Sequence, residues 1–288
     1  MVLINIFFIL IKKMPENAEV LIMSEVMNTL AKNSKLVEIE INTKSKYYEK
    51  GINNFDNIKL PLKLKRIYSK GKVIIFELDK NINIVCNPIY GKWLTEPGKY
   101  SGFILTFEKN NNEISFYFDD MRKFGLINIY INKEDFEKKI NKNGIDILRS
   151  LLENKENELK KIWFNAFSNK KKENKEIGKF LLEQDKFAGI GNYLRAEILY
   201  DSKISPYRKL SSLSEEDINK LYNSTKKIVL EAYKSGGHTI SVYSDPLGAI
   251  GRYNPKIYGK KTDSYGNDIL RDKNKDGRSI YWVPKIQK

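Results

Sequence analysis

Seven short β-like runs crowd the stretch from Lys35 to Ile131: KLVEIEI, KLKRIYS, KVIIFELD, NINIVCN, YSGFILTFE, EISFYFDD and LINIYI. Gly, Asn and Asp turn residues separate them. Strands at such close intervals predict a β-sandwich or barrel. Ahead of them, apolar residues at Val20, Leu21, Met23, Val26, Met27 and Leu30 recur at helical spacing, so a helix is expected after Pro15. Beyond about Asn141 the pattern turns helical. NGIDILRSLLENKENELKKIWFNAF, IGKFLLEQ and YLRAEILYDS read as helices, KISPYRKLSSL as an irregular link, and SNKKKENKE as a solvated connection or a basic contact. The strongest helical signal starts at Ser214, where Asp217 completes a capping-box-like start, and Gly236-Gly237 ends it. From Ile257 to Lys288, β-like runs alternate with Gly and Asp as in a hairpin. The fold class is α+β: a β-sandwich domain with flanking helices over 14–141, then a helical domain over 142–288 with a hairpin at about 257–288.

The first residues stand apart. Val2–Ile11 is apolar, but Lys12 and Lys13 follow the run instead of preceding it, and no small-residue cleavage site comes after. Residues 1–13 are expected to be an extension absent from the mature protein. No span approaches the roughly 18 apolar residues of a membrane helix, so no membrane association is expected.

Charge narrows the partners. A formal net charge of +15 points to an acidic partner, nucleic acid or an anionic membrane, although a lysine-rich background would spread the same charge evenly. One cysteine, Cys86, and one histidine, His238, exclude a disulfide framework and leave no ordinary zinc cage. No cofactor and no metal are expected. The chain is expected to be an intracellular monomer.

The stretch LLEQDKFAGIGNYLRAEILYDSKISPYR, Leu181 to Arg208, sets a glycine turn between two helices. Asn192 is placed to cap the second helix, and the free N–H groups there form an anion site. A tight helix–turn–helix packed for stability is the other reading. The same stretch resembles the helix–two-turns–helix signature of the formamidopyrimidine/endonuclease VIII (Fpg/Nei) DNA glycosylases at Leu181, Leu182, Gln184, Ala188, Gly189, Gly191, Asn192, Glu197, Leu199, Ile204 and Pro206. MPENAEV, from Met14, is similar to that family's start at Met14, Pro15, Glu16, Glu19 and Val20, and departs at Asn17 and Ala18.

The resemblance implies a bifunctional DNA glycosylase/AP lyase acting on damaged double-stranded DNA, in the nucleus or cytoplasm. It implies removal of Met14, so that Pro15 becomes an N-terminal nucleophile. A terminal amine has a pKa of about 8 and can attack a sugar carbon; a mid-chain proline nitrogen is an amide and cannot. Glu16 is then the general acid/base, with Glu19 beside it on the DNA-binding side. YSKGKVIIFEL resembles the family's glycine–lysine strand and gives Lys72 a catalytic and phosphate-contacting role. FDDMRKFG resembles the loop whose arginine and phenylalanine, here Arg122 and Phe124, fill the gap left by a flipped nucleotide. Ile89, in NPIYGKW, takes the third wedge position. GRSIYWVPKIQK aligns with the family's zinc-finger ending, with Val283 and Ile286 where cysteines stand, as in a zincless finger held by packing. Arg278 there, and Lys260 in the IYGK segment, are implied DNA contacts. His238 is read as structural or DNA-contacting. The resemblance leans toward oxidised pyrimidines and hydantoins, with ring-opened purines as further targets. A non-catalytic DNA-binding protein on the same scaffold follows if Pro15 is never freed.

Overall fold

The computed structural model describes residues 14–168, 174–239, 243–273 and 277–288. The extension expected at residues 1–13, and part of the SNKKKENKE connection, lie outside them.

Eight strands make one antiparallel sheet: β1 (Lys35–Ile41), β2 (Leu62–Lys70), β3 (Val73–Leu78), β4 (Asn83–Asn87), β5 (Lys92–Leu94), β6 (Ser101–Lys109), β7 (Asn112–Asp119) and β8 (Leu126–Tyr130). Their spatial order is β5-β7-β6-β1-β2-β3-β4-β8. β1 pairs with β6 along its length but with β2 only at Lys35 and Leu36. That short seam lets the sheet fold over itself, which is how the expected sandwich is made. Phe76 on β3 accordingly lies 5.1 Å from Trp93 on β5 and 6.3 Å from Phe107 on β6, ring to ring. Cys86 is enclosed in this core, where burial pushes its thiol pKa up. β5 escapes the sequence pattern because three residues are too few to alternate.

Helix α1 (Asn17–Ala31) joins the two halves of the molecule. Val20, Met23, Met27 and Ala31 face the sheet core, whereas Ala18 and Leu21 belong to a second core built from helices. A helix buried on both sides needs apolar residues around most of its circumference, and this one has them.

Two helices belong with the sheet, a short α2 (Lys46–Lys50) and α3 (Lys133–Ile140), which packs on the sheet at Val73, Ile75 and Val85; the helical half contains α4 (Ile147–Leu152), α5 (Glu156–Phe167), α6 (Ile177–Phe180), α7 (Asn192–Asp201) and α8 (Glu215–Lys234). α3 was not anticipated, because charges dominate it. Asn132 caps it by accepting from Asp135 N, and only Phe136 and Ile140 pack inward. The helix expected over IGKFLLEQ stops at Phe180. Gln184 bonds Leu182 O, Ile190 O and Gly189 N instead, and a two-residue parallel bridge, β9 (Ile145–Asp146) with β10 (Phe187–Ala188), draws the chain away. α8 has its Ser214–Asp217 capping box, and Gly236 and Gly237 close it at positive φ, with Gly237 N donating to Ala232 O.

The last elements are a hairpin, β11 (Leu270–Lys273) and β12 (Ser279–Trp282). Val283 is fully buried and Ile286 packs against the helical core. Asp272 accepts from Trp282 Nε1 at 2.8 Å and from Tyr207 OH, and the Tyr207 and Trp282 rings meet edge-on at 5.3 Å. Among the described residues no cluster of His, Cys, Asp or Glu could hold a metal, and no helix is long and apolar enough to cross a membrane. Melting curves with and without EDTA are expected to coincide. Asp272→Ala should cost about 1–3 kcal/mol, a melting drop of several degrees, because it strands two donors. A chelator-induced fall in melting temperature, or an unchanged Asp272→Ala curve, would contradict this account of the hairpin.

Candidate active site

Helix α7 begins without a side-chain cap of its own. Its N-cap is Gly191, and the free backbone donors are taken by a carboxylate from far away in sequence. Glu16 Oε2 accepts from Gly191 N at 2.7 Å and Leu194 N at 3.2 Å, and Oε1 accepts from Tyr193 N at 2.9 Å. The donors expected at this helix start as an anion site are thus taken up inside the fold by Glu16. Asn192 does not cap the helix as expected. It is the first helical residue, and its side chain donates to Ser279 O on β12 and accepts from Arg195.

Glu16 is also the N-cap of α1, where its backbone N–H donates to Glu19 Oε2 at 2.8 Å. Glu19 was expected on the DNA-binding side, but it has no exposed surface. Its oxygens accept from Glu16 N, His238 N and Tyr193 OH, so it organises the site from behind. Burial raises the Glu19 pKa against those donors. His238 is likewise interior, its ring 4.9 Å from that of Tyr193, which resolves its two readings in favour of a structural part.

Lys72 occupies the tight turn between β2 and β3. Gly71 precedes it at φ +60, and a Cβ there would come within 2.8 Å of Ala188. Gly71 N donates to Asp146 Oδ2 at 2.7 Å, and Asp146 Oδ1 accepts from Asn17 Nδ2, so one carboxylate fixes both the turn and the start of α1. Lys72 Nζ donates to Ile190 O at 3.0 Å. It stands next to the Glu16 carboxylate: a Cβ on Gly191 would meet Glu16 Cδ at 2.2 Å and Lys72 Nζ at 2.6 Å. Burial pushes the Glu16 pKa up to about 7, against the opposing pull of Lys72 and of the Tyr193 and Leu194 donors. Burial pulls the Lys72 ammonium down against the opposing pull of the Glu16 carboxylate, and the positive charge of Arg278 adds to the fall.

A cleft of roughly 400 Å³ opens at Lys72, with Glu16 buried beside it. Met14, Pro15, Lys72, Ile89, Asn192 and Arg278 line it, together with Lys70 and Asn143. Next in the chain to Ile89, the Tyr90 ring carries the Arg122 guanidinium 4.6 Å over it, and the exposed Phe124 ring is 5.9 Å from it. Tyr90 was missed in the sequence although it adjoins Ile89. Lys46 and Asp120 hold the loop between Arg122 and Gly125 from beneath. Lys260 is exposed on its loop and is not part of the cleft lining.

Two family models match the chain: the formamidopyrimidine-DNA glycosylase N-terminal domain over residues 14–127 and the formamidopyrimidine-DNA glycosylase H2TH domain over 153–244. A formamidopyrimidine-DNA glycosylase of Listeria innocua is 27% identical, covering 96% of this chain and 100% of the relative. The structure of the MutM (Fpg) protein of Thermus thermophilus superposes with a TM-score of 0.78 at 21% identity, covering 95% of this chain and 98% of that one. A Lactococcus lactis Fpg variant, solved with DNA containing Fapy-dG, gives 0.78 at 24% identity, covering 95% and 100%.

Gly191 has φ −124, which any residue can adopt, so only space demands glycine there. Gly191→Ala should destabilise the protein by about 1–3 kcal/mol through overpacking and separate Glu16 from Lys72. A thermal melt and the amide spectrum of Tyr193 and Leu194 test this; wild-type values for both would disprove it.

Proposed function

The chain belongs to the formamidopyrimidine-DNA glycosylase family, and on that premise we propose that it is a DNA glycosylase/AP lyase that excises oxidised bases through a Schiff base at Pro15. The observation that carries this reading is that Pro15 and Lys72 line one cleft, while the buried Glu16 carboxyl, next to Pro15 in the chain and to Lys72 Nζ in space, is poised near pH 7. The N-terminal family model also starts its match at residue 14. Met14 lines the cleft beside Pro15, so its removal both frees the amine and clears room for a sugar.

With that amine free, its lone pair attacks C1′ of the damaged nucleoside. The bond to the base breaks, and the base leaves with the electron pair and takes up the proton that the nitrogen loses. Protonated Glu16 gives its proton to the ring oxygen as the C1′–O4′ bond opens, leaving an iminium between Pro15 and C1′. The Glu16 carboxylate left by that step takes a C2′ proton, the electrons of the broken C2′–H bond expel the 3′ phosphate, and a second elimination expels the 5′ phosphate. Lys72, Asn192 and Arg278 hold the flanking phosphates. Arg122, Phe124 and Ile89 occupy the space vacated by the flipped nucleotide. The β11–β12 hairpin serves as a zincless finger. Oxidised pyrimidines and hydantoins are the substrates, and the Fapy-dG complex of the Lactococcus relative supports including ring-opened purines.

Borohydride trapping on an abasic-site oligonucleotide tests the covalent step. Protein beginning at Pro15 should be trapped. Failure to trap would leave a non-catalytic DNA-binding protein as the better description. Glu16→Gln should lower base excision at least ~1000-fold, within the range for acid/base groups, while DNA affinity changes little. Excision at the wild-type rate would remove Glu16 from the mechanism.

The pH profile follows from the same groups. Glu16 must be protonated, so its contribution is full well below pH 7 and is lost as pH rises through about 7. The Pro15 amine must be unprotonated, which favours pH above about 8. Single-turnover excision should therefore be bell-shaped, with its maximum between these values; a rate still climbing above pH 9 would contradict the assignment.

A further inference from the structure

Lys70 and Asn143 border the cleft but have no place in the mechanism above. Lys70 is the last residue of β2, and Asn143 sits in the turn after α3. Their backbone and side-chain groups converge on one atom: Ile140 O accepts from Lys70 Nζ at 3.1 Å and from Asn143 N at 3.1 Å. Both residues also line a neighbouring open groove, which holds Tyr68 and Arg149 but also the carboxylates of Asp146, Glu153 and Glu158. They thus form the sill that separates the cleft from this more acidic groove.

Asn143 Nδ2 is buried and has no hydrogen-bond partner. An amide donor stripped of water and left unpaired is unfavourable unless something supplies an acceptor. Beside it, the Lys70 ammonium has donors to spare. A cation and an orphaned neutral donor on one sill match a ligand that offers only acceptors and carries negative charge.

We propose that Lys70 and Asn143 bind a backbone phosphate of the damaged strand on the cleft side of this sill, away from the acidic groove behind it. This rests on the DNA-binding reading given under Proposed function. The site adds a phosphate contact to those proposed at Lys72, Asn192 and Arg278.

The test uses the full chain and a duplex carrying a tetrahydrofuran abasic analogue, which cannot be cleaved, beside an undamaged duplex. Fluorescence anisotropy gives affinity across a salt series. Lys70→Met should weaken binding to both duplexes alike, about five- to tenfold, and reduce the salt slope by about one. Lys70→Arg should restore the slope. Asn143→Ala should weaken both without altering the slope, since it removes no charge. Unchanged affinity and slope in Lys70→Met and Asn143→Ala, with normal wild-type binding, would overturn this site alone. So would a loss confined to excision of one base lesion with tetrahydrofuran binding intact, which would mean that the sill reads the base. A wild-type chain that binds neither duplex would overturn the DNA reading itself.

Discussion

The Glu16 carboxylate at the start of α7 is the interaction on which the arrangement depends. A helix N-terminus carries unsatisfied N–H groups and a partial positive charge. Here an acidic side chain from the other end of the sequence satisfies both. Because Glu16 is also the N-cap of α1, the starts of two helices face one carboxylate. Backbone donors of this kind would hold it ionised, while its burial favours the neutral acid. The group that joins the two halves of the fold is thus also the one whose proton is easily moved near neutral pH.

The rest of the joint follows from α1 lying between two cores. Its apolar residues divide between sheet and helices, and its polar start is tied to both. Asn17 N donates to Gly189 O, and Asp146 links Asn17 to the Gly71 turn. Lys72 follows that turn, so the position of its ammonium is set by backbone geometry as well as by its bond to Ile190 O. A lysine on a free strand could not be held to one place in this way, given the flexibility of its four-carbon stem.

Much of this was legible in the sequence. Alternation gave the seven long strands, and α8 carried its start and stop signals in full. Pro15, Lys72, Asn192, Arg278 and Ile89 are far apart in the chain yet line one cleft. What escaped had physical causes. β5 is too short to show a period, and α3 buries only Phe136 and Ile140 beneath a charged face. Asn192 has the composition of a helix cap, but a carboxylate 175 to 177 positions away had already taken the donors it would have used. Glu19 has the composition of a surface residue; only the convergence of Tyr193, His238 and the Glu16 backbone makes its burial tolerable. Tyr90 becomes meaningful once Arg122 and Phe124 are seen to gather on its ring.

The enclosure of Cys86 has a bearing on where such a chain can work. It is the chain's only thiol, it is wholly screened from solvent, and burial keeps it protonated. Peroxide reacts with accessible thiolates, the first step of the sulfenic–sulfinic ladder. At the C-terminal hairpin, Val283, Ile286, and the bonds from Trp282 and Tyr207 to Asp272, offer no sulfur to such an oxidant. The surface therefore presents no reactive thiol to oxidative stress, the condition that also generates oxidised bases, and neither the sheet core nor the hairpin depends on a reducing environment to persist.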